Sequence, residues 1–413
     1  MKCKEIFDRI DALEGEYLDF LEKVCNIESP TSCKAGVDAV GEAFMERARE
    51  LGFSIDVHEE PRSGNAICIS LAKGAKLPAV TMSGHMDTVF PLGLFDKPAV
   101  RRVGSRMYGP GTTDCKGGIV AALMAMHALH DCGFDARPVH LVLQSDEEVG
   151  SALSEKRTLE YMCKCGEGSV AFLNLEDNKE GTAVLVRKGI LRCNVRVYGV
   201  ACHSSKCYDG ANAIAEAAHK IIALERKKDK DGITINCGVI SGGTVANTVA
   251  ESCEFTIDIR FATRRQREES IALIDEVVKN STVPGTRAEY TVVNDRPSME
   301  YTEENAKLLE RMNRIFEENG LPVLESRYDP SGSDAAYTTA YGIPTVDSIG
   351  TYGGPIHSRD EYAEMRSLAE AAKRLATGLQ LKKTGGTFTA TFDLPTAVEG
   401  IVDEVWQAPI QVH

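Results

Sequence analysis

Three short segments carry side chains whose types and spacing suit metal chemistry. His85 and Asp87 form an H-x-D tripeptide; imidazole is a good zinc ligand, and a bound histidine usually donates its other N–H to a carboxylate. Asp114 lies between glycines in GPGTTDCKGG, and Glu147 and Glu148 directly follow an apolar run. Crowded carboxylates beside a buried strand are costly unless cations neutralise them. The ordinary alternatives are polar loops and, for Asp114, a helix N-cap.

Two further candidates stand much later in the chain. Glu176 follows the extended run 170–173, and His357 follows the extended run 344–349. Two histidines and several carboxylates, without a paired cysteine motif, suit two divalent ions bound through nitrogen and oxygen.

These residues need a scaffold that brings distant segments together. Apolar runs at 67–71, 79–82 and 139–143 predict buried strands, and an apolar repeat at helical spacing predicts a helix over 117–130. Strand, helix and strand of this length indicate a parallel α/β sheet. Ligands bind at the carboxyl ends of such strands, so we expect the candidate residues to meet at that edge.

The middle of the chain has a different character. Its predicted order from residue 190 to 293 is β-α-β-β-α-β, which is typical of a ferredoxin-like unit. We therefore predict a catalytic domain in two parts, 1–186 and 298–383, interrupted by an inserted dimerisation or lid domain at 187–297. No role is assigned to the tail, 384–413.

Bulk composition excludes several classes of partner. The 413 residues carry a formal net charge of −14, which disfavours nucleic acid and anionic membranes. We see no secretory signal and no apolar run of about 18 residues that could span a bilayer. Thirteen cysteines without a signal peptide indicate free thiols in a reducing compartment, so the expected location is cytoplasmic.

An ordered set of motifs then reveals a resemblance. GHMDTVFP, YGPGTTDCKGG, QSDEEVGS, NLED, SGSDAAY and GGPIHSRDEY resemble, in that order, the motifs of the dinuclear zinc exopeptidase and deacylase superfamily, which includes aminoacylase, acetylornithine deacetylase and succinyl-diaminopimelate desuccinylase. Within it the chain is most similar to the glutamate carboxypeptidases. The resemblance implies a mixed, mostly parallel sheet flanked by helices, with an inserted ferredoxin-like α+β dimerisation domain.

The resemblance also implies a role for each candidate residue. Asp114 would bridge two divalent ions, expected to be zinc, with cobalt or manganese as alternatives. His85 and Glu176 would complete one site, and Glu148 and His357 the other. Asp87 would orient His85, and Glu147 would be the general base. The peptide bond after Asp114 would be cis.

Substrate contacts are implied in the same way. Arg296 would grip the substrate carboxylate, while His203 and Asn247 would stabilise the oxyanion, with His203 reaching the partner subunit's site in a homodimer. Gly332 and Ser333, next to Asp334, would shape the pocket, and for Arg260 a structural role is equally open.

The expected activity is metal-dependent cleavage of an amide bond beside a free carboxylate, in a small peptide or an N-acyl amino acid. A glutamate carboxypeptidase-like exopeptidase comes first, and an N-acyl amino acid deacylase or a dipeptidase is the alternative. A catalytically silent scaffold of the same fold would be a different class of protein. A thiol-dependent enzyme that uses Cys115, or Cys202 with His203, is a third alternative.

Overall fold

The computed structural model describes residues 3–230 and 232–379. These residues divide into two compact units, one of 3–186, 301–329 and 333–379, and the other of 187–300 and 330–332. The assignment of 187–297 as an inserted dimerisation or lid domain remains our proposal. The predicted tail, 384–413, lies outside the described residues.

A mixed six-stranded sheet forms the centre of the first unit. Its strand order is β1-β2-β6-β3-β7-β14, and β6, β3, β7 and β14 run parallel to one another while β1 and β2 pair antiparallel. The strands are β1 (Ser54–His58), β2 (Ala66–Leu71), β3 (Val80–His85), β6 (Val139–Gln144), β7 (Ala171–Asn174) and β14 (Thr345–Val346). The predicted mostly parallel sheet is therefore confirmed.

Helices cover both faces of this sheet. The helices of the unit are α1 (Cys3–Cys25), α2 (Lys34–Glu50), α3 (Lys116–Asp131), α4 (Arg157–Gly166), α7 (Glu303–Glu318), α8 (Ala335–Ala340) and α9 (Arg366–Leu379). In β3 the Thr81 hydroxyl donates to the Cys165 carbonyl oxygen on α4, whereas Gly84 packs against Ile119 of α3. Side chains three positions apart on a strand point to opposite faces, so α3 and α4 lie on opposite sides.

The helix α3 is the most deeply buried of these elements. Fourteen of its sixteen residues are buried, and it packs against α1 and α9 as well as against the sheet. Four alanines between Ala121 and Ala128 are fully buried, and side chains this small allow neighbouring helices to approach closely. Gly133, at φ +72°, follows the end of the helix, as expected for a glycine in the left-handed region.

The second unit has the predicted ferredoxin-like order. Its elements are β9 (Gly189–Tyr198), α5 (Ala213–Glu225), β10 (Thr234–Gly242), β11 (Ser252–Phe261), α6 (Arg264–Lys279) and β12 (Arg287–Arg296). The antiparallel sheet has the order β10-β11-β9-β12. Alternate residues of β9, from Leu191 to Val197, are buried in the core of this unit because a strand presents every second side chain to one face.

Two small sheets were not predicted from the sequence. One contains β4 (Arg101–Val103), β5 (Arg106–Tyr108) and β15 (Tyr362–Glu364), and the other pairs β8 (Thr182–Arg187) with β13 (Glu325–Asp329). The pairing of β5 with β15 joins the segment before Asp114 to the segment after His357. Within the described ranges, none of the helices combines the length and the apolar character that a membrane crossing requires.

Candidate metal centre

His85 is the last residue of β3, so its side chain leaves the carboxyl end of a central strand. The ring is almost fully buried. Its Nδ1 lies 3.0 Å from the backbone oxygen of Asp87 and 3.3 Å from Asp87 Oδ1. Because Asp87 offers acceptors to Nδ1, a proton on Nδ1 leaves Nε2 available as a metal ligand.

The Asp87 carboxylate also joins a second segment to His85. Asp87 is fully buried, and it accepts hydrogen bonds from the backbone N–H groups of Glu147 and Glu148, each at 3.2 Å. The Thr31 hydroxyl donates to the same carboxylate at 2.6 Å. The short 3₁₀ turn Glu147–Val149 is therefore fixed relative to the His85 ring.

Asp114 lies two residues before α3, and its peptide bond to Cys115 is cis, as the resemblance implies. Asp114 Oδ1 is 2.9 Å from His85 Nε2, and Asp114 Oδ2 is 3.1 Å from His357 Nε2. The two oxygens of one carboxylate thus face two different imidazoles. A ligand that bridges two ions needs this arrangement.

Glu148 and Glu176 approach the two imidazoles from different elements. Glu148 Oε2 is 3.2 Å from His357 Nε2, and Glu176 Oε2 is 3.8 Å from His85 Nε2. Glu148 comes from the 3₁₀ turn after β6, and Glu176 stands two residues after β7. The structure therefore brings four residues from distant parts of the chain, His85, Glu148, Glu176 and His357, together around Asp114.

Burial and mutual hydrogen bonds perturb the ionisation of this cluster. Burial raises the pKa of Glu148 to about 7 and the pKa of Glu176 well above its usual range. Hydrogen bonds to Asp114 and Glu148 raise the pKa of His357 to about 11. Burial opposes ionisation of Asp114, but His357 and His85 hold its pKa well below the usual range. Divalent cations, when bound, would favour the ionised form of these buried carboxylates.

The donor atoms fit divalent ions. Those of His85, Asp114 and Glu148 lie within 4.8 Å of one another, as do those of His85, Cys115 and Glu176. Imidazole nitrogen and carboxylate oxygen suit zinc, cobalt and manganese.

Cys115 is fully buried, its thiol donates to the Leu175 carbonyl oxygen at 3.1 Å, and burial raises the pKa of the thiol well above its usual range. A thiol in that state is a poor nucleophile, which argues against a thiol-dependent mechanism through Cys115.

Two buried charged residues next to Asp114 were not found from the sequence. Lys116 is fully buried and donates to the carbonyl oxygens of Val24, within the end of α1, and Ile27, just beyond it, at 3.2 and 3.0 Å. Glu361 accepts a hydrogen bond from the Asp114 backbone N–H at 3.2 Å. In the sequence, the only indication of their role is their position: Lys116 follows Asp114 and Cys115, and Glu361 stands four residues after His357.

The residues predicted to bind substrate divide between the two units. His203 and Asn247 lie in the second unit on neighbouring exposed segments: the N–H of Ser204 donates to the Asn247 carbonyl oxygen at 2.9 Å, and His203 pairs with Thr248 in a β-bridge. His203 Nδ1 accepts from the N–H of Ser205 at 3.2 Å, which leaves Nε2 for another partner.

Arg260, Arg296 and Gly332 also belong to the second unit. Arg260 Nε donates to Asp258 Oδ1 at 2.7 Å, which favours a structural role. Arg296 is the last residue of β12 and is 5% exposed. A Cβ atom at Gly332 would lie 2.8 Å from Arg296 Cδ, so the absence of a side chain there leaves room for the arginine.

Ser333 lies in the first unit and is fully buried. Its hydroxyl oxygen accepts from Asn174 Nδ2 at 2.9 Å and from the N–H of Ala335 at 3.2 Å, at the start of α8. Asp334 beside it is buried too. These contacts indicate that Ser333 stabilises the loop before α8 and does not act as a nucleophile.

Comparison with known proteins gives the chain a context. Residues 81–380 match the profile described as Peptidase family M20/M25/M40. Carboxypeptidase G2 of Pseudomonas sp. (strain RS-16) is 26% identical over 356 residues, which are 84% of this chain and 85% of that protein. Acetylornithine deacetylase of Myxococcus xanthus is 28% identical over 209 residues, 48% of this chain and 53% of that protein.

Solved structures share the fold. A tripeptidase from Staphylococcus aureus aligns with a TM-score of 0.74 at 20% identity, covering 89% of this chain and 98% of that one. The Bacillus subtilis protein YXEP, described as a dinuclear metal-binding peptidase, aligns with a TM-score of 0.65 at 15% identity, covering 89% and 98%.

Proposed function

Because the chain belongs to Peptidase family M20/M25/M40 and is therefore a metal-dependent hydrolase, we propose that it is an exopeptidase of the glutamate carboxypeptidase type. Its substrates would be small peptides or N-acyl amino acids, cut at the amide bond beside a free carboxylate. The observation that carries the proposal is the position of Asp114, whose two oxygens face His85 and His357 at 2.9 and 3.1 Å.

The proposed cofactor is a pair of zinc ions. His85, Asp114 and Glu176 would hold one ion, and Asp114, Glu148 and His357 the other. When bound, such ions polarise the carbonyl of the scissile amide and make water more acidic. The chain's own contribution is to fix the ligands before substrate arrives, through the buried hydrogen bonds of Asp87.

Glu147 is the proposed general base. Its neighbour Glu148 approaches His357, whereas Glu147 stands one position earlier on the same turn, with its backbone N–H held by Asp87 at 3.2 Å. The side chain would take a proton from the attacking water and return it to the leaving nitrogen. The two adjacent glutamates would thus divide ligand and base functions between them.

Arg296 is the proposed contact for the free carboxylate of the substrate. A guanidinium presents a planar fork that pairs with a carboxylate through two hydrogen bonds. The chain as a whole is acidic, at −14, so a locally placed cation is required to hold an acidic substrate. His203 and Asn247 would stabilise the charge that develops on the carbonyl oxygen.

We also propose a homodimer formed through the second unit. Its edge strand β10 exposes Val239 (64%) and Ile240 (52%), and α5 exposes Ile222 (49%). An edge strand with unpaired backbone groups and exposed apolar side chains is a ready surface for pairing with another copy. Light scattering of the protein and of a Val239→Asp variant tests this, and a monomeric wild type with full activity would contradict it.

A hybrid dimer tests whether His203 serves the partner subunit. Mixing Glu147→Ala and His203→Ala chains makes hybrid dimers in which one site keeps its own Glu147 and receives His203 from the partner. If His203 acts across the interface, this mixture regains activity that neither variant has alone. If it acts within its own subunit, both sites of the hybrid stay inactive.

The substrate class is tested with purified protein after metal analysis. An N-acylated glutamate, a dipeptide series and N-acetylornithine separate the alternatives according to which product is released. Acetate release would favour a deacylase, an alternative that the similarity to acetylornithine deacetylase supports. Protein that binds divalent ions but cleaves none of these amides would contradict the proposal.

The proposed location is the cytoplasm. The twelve cysteines from Cys25 to Cys253 are free thiols in the described part of the chain. Free thiols persist in a reducing compartment.

A further inference from the structure

A buried carboxylate lies directly behind the loop that carries Asp114. Glu361 is 1% exposed. Its Oε1 accepts hydrogen bonds from the Thr113 N–H at 3.1 Å, the Thr113 hydroxyl at 3.2 Å and the Asp114 N–H at 3.2 Å. One oxygen atom therefore gathers three donors from two consecutive residues.

We infer that Glu361 is a positioning residue that fixes the direction in which Asp114 presents its two oxygens. The inference rests on the proposed role of Asp114 as the bridging ligand. The Asp114 N–H lies in the peptide plane between Thr113 and Asp114, and the Thr113 N–H lies in the plane before it, so an acceptor that holds both fixes the orientation of two consecutive peptide planes. The Asp114 side chain leaves the backbone immediately after them.

The same residue ties the Asp114 loop to the His357 loop. Glu361 stands four residues after His357, and its carbonyl oxygen accepts from the Gly109 N–H at 3.0 Å. Asp114 Oδ2 and His357 Nε2 face each other at 3.1 Å. Glu361 therefore belongs to the same chain segment as His357 but contacts the backbone next to Asp114.

The Asp114 loop requires a buried hydrogen-bond acceptor at this place. A buried N–H without an acceptor is unfavourable, and Glu361 Oε1 accepts from the N–H groups of both Thr113 and Asp114. The three hydrogen bonds from Thr113 and Asp114 all end on Glu361 Oε1, so the position of this one oxygen holds the loop.

This geometry separates three substitutions. Glu361→Gln keeps an oxygen at the end of a side chain of the same length and can preserve the acceptor. Glu361→Asp keeps the acid but withdraws it by one methylene, and Glu361→Ala removes the acceptor. If the position of the accepting oxygen is decisive, ion affinity is highest in the wild type, lower in Glu361→Gln, and lowest in Glu361→Asp and Glu361→Ala.

The experiment measures the affinity for zinc and cobalt by competition with a chelator, and the thermal unfolding of the metal-free proteins. Glu364→Ala is the matched control, because Glu364 lies three residues away and pairs with Arg106 at 2.8 Å instead of with the Asp114 loop. We expect a loss of about 10–100-fold for Ala and Asp, less than about tenfold for Gln, and none for Glu364→Ala.

Several results would overturn the inference. Wild-type affinity in Glu361→Ala or Glu361→Asp would do so, and so would a lower unfolding temperature of the metal-free variant with unchanged affinity, which indicates a purely structural role. A Gln variant weaker than the Asp variant would show that the acid, not the acceptor position, is required. A wild-type protein that fails to bind two ions would instead contradict the proposed function.

Discussion

Replacing Glu147 by glutamine separates proton transfer from ion binding. Glutamine matches the length of glutamate, and the backbone N–H that Asp87 accepts at 3.2 Å is unaffected. The side chain of the neighbouring Glu148, 3.2 Å from His357 Nε2, also remains. We therefore expect Glu147→Gln to fold, to bind two ions per chain and to lose most of its turnover.

The size of that loss can be bounded. General acid–base catalysis contributes about 10²–10⁴-fold to a rate. At about 1.36 kcal/mol for each tenfold change, its removal raises the barrier by about 2.7–5.4 kcal/mol. The residues of the second unit that we propose to bind substrate are untouched, so KM should change far less than kcat.

The assay pairs steady-state kinetics with metal analysis of the same samples. Glu148→Gln is the matched control, since it alters the adjacent residue in the same chemical way. This control should lose affinity for one ion by more than the 10–100-fold typical of residues that only support a ligand. If Glu147→Gln kept near-normal kcat, or lost its ions as Glu148→Gln does, the assignment of base and ligand would be refuted.

Three more outcomes follow from the contacts described. Asp87→Asn replaces one of the two accepting oxygens by an amide donor, which then faces a backbone N–H group, so ion affinity should fall about 10–100-fold and the free energy of unfolding by about 1–3 kcal/mol; unchanged affinity in chelator competition would contradict this. The hydrogen bonds of Arg157 lower the pKa of the buried Glu60 carboxyl, so their stabilisation is present above the unfolded pKa of about 4.3 and is lost as the pH falls through the lower folded value. Glu60→Gln should therefore be about 1–2 kcal/mol less stable than wild type at neutral pH and converge with it in acid, and denaturant titrations showing a constant difference would refute the argument. Arg296→Lys should raise KM about tenfold or more with a smaller change in kcat, because an ammonium cannot form the two-pronged contact; an equal effect on a substrate with an amidated carboxylate would count against this role.

The sequence predicted the scaffold of the centre well because its signals are local. The apolar runs before His85 and Glu147 are six-residue strands, β3 and β6, and the helical repeat after Asp114 is α3. Parallel strands place their carboxyl ends at one edge, so the positions of these three residues followed from simple periodicity. The elements of the second unit were predicted equally well, because each is regular and its strands alternate buried and exposed side chains.

Contacts that depend on distant loops could not be read in this way. Thr31 reaches Asp87 across 56 positions, and Glu361 reaches Thr113 across 248. Neither residue has an unusual local sequence, and nothing in a single chain indicates which buried acceptor meets which N–H group. The short strands β4, β5 and β15 were missed for a related reason, because three-residue strands carry almost no periodic signal.

The burial of α3 has a consequence for how this enzyme can change. The helix begins at Lys116, two residues after Asp114, and nearly all of its surface is in contact with other parts of the first unit. A larger side chain at Ala122 or Ala125 has no solvent-facing side into which it could expand, so the whole rod would have to slide or tilt. Such a movement would carry Asp114 with it, so interior packing and catalytic alignment must evolve together in this protein.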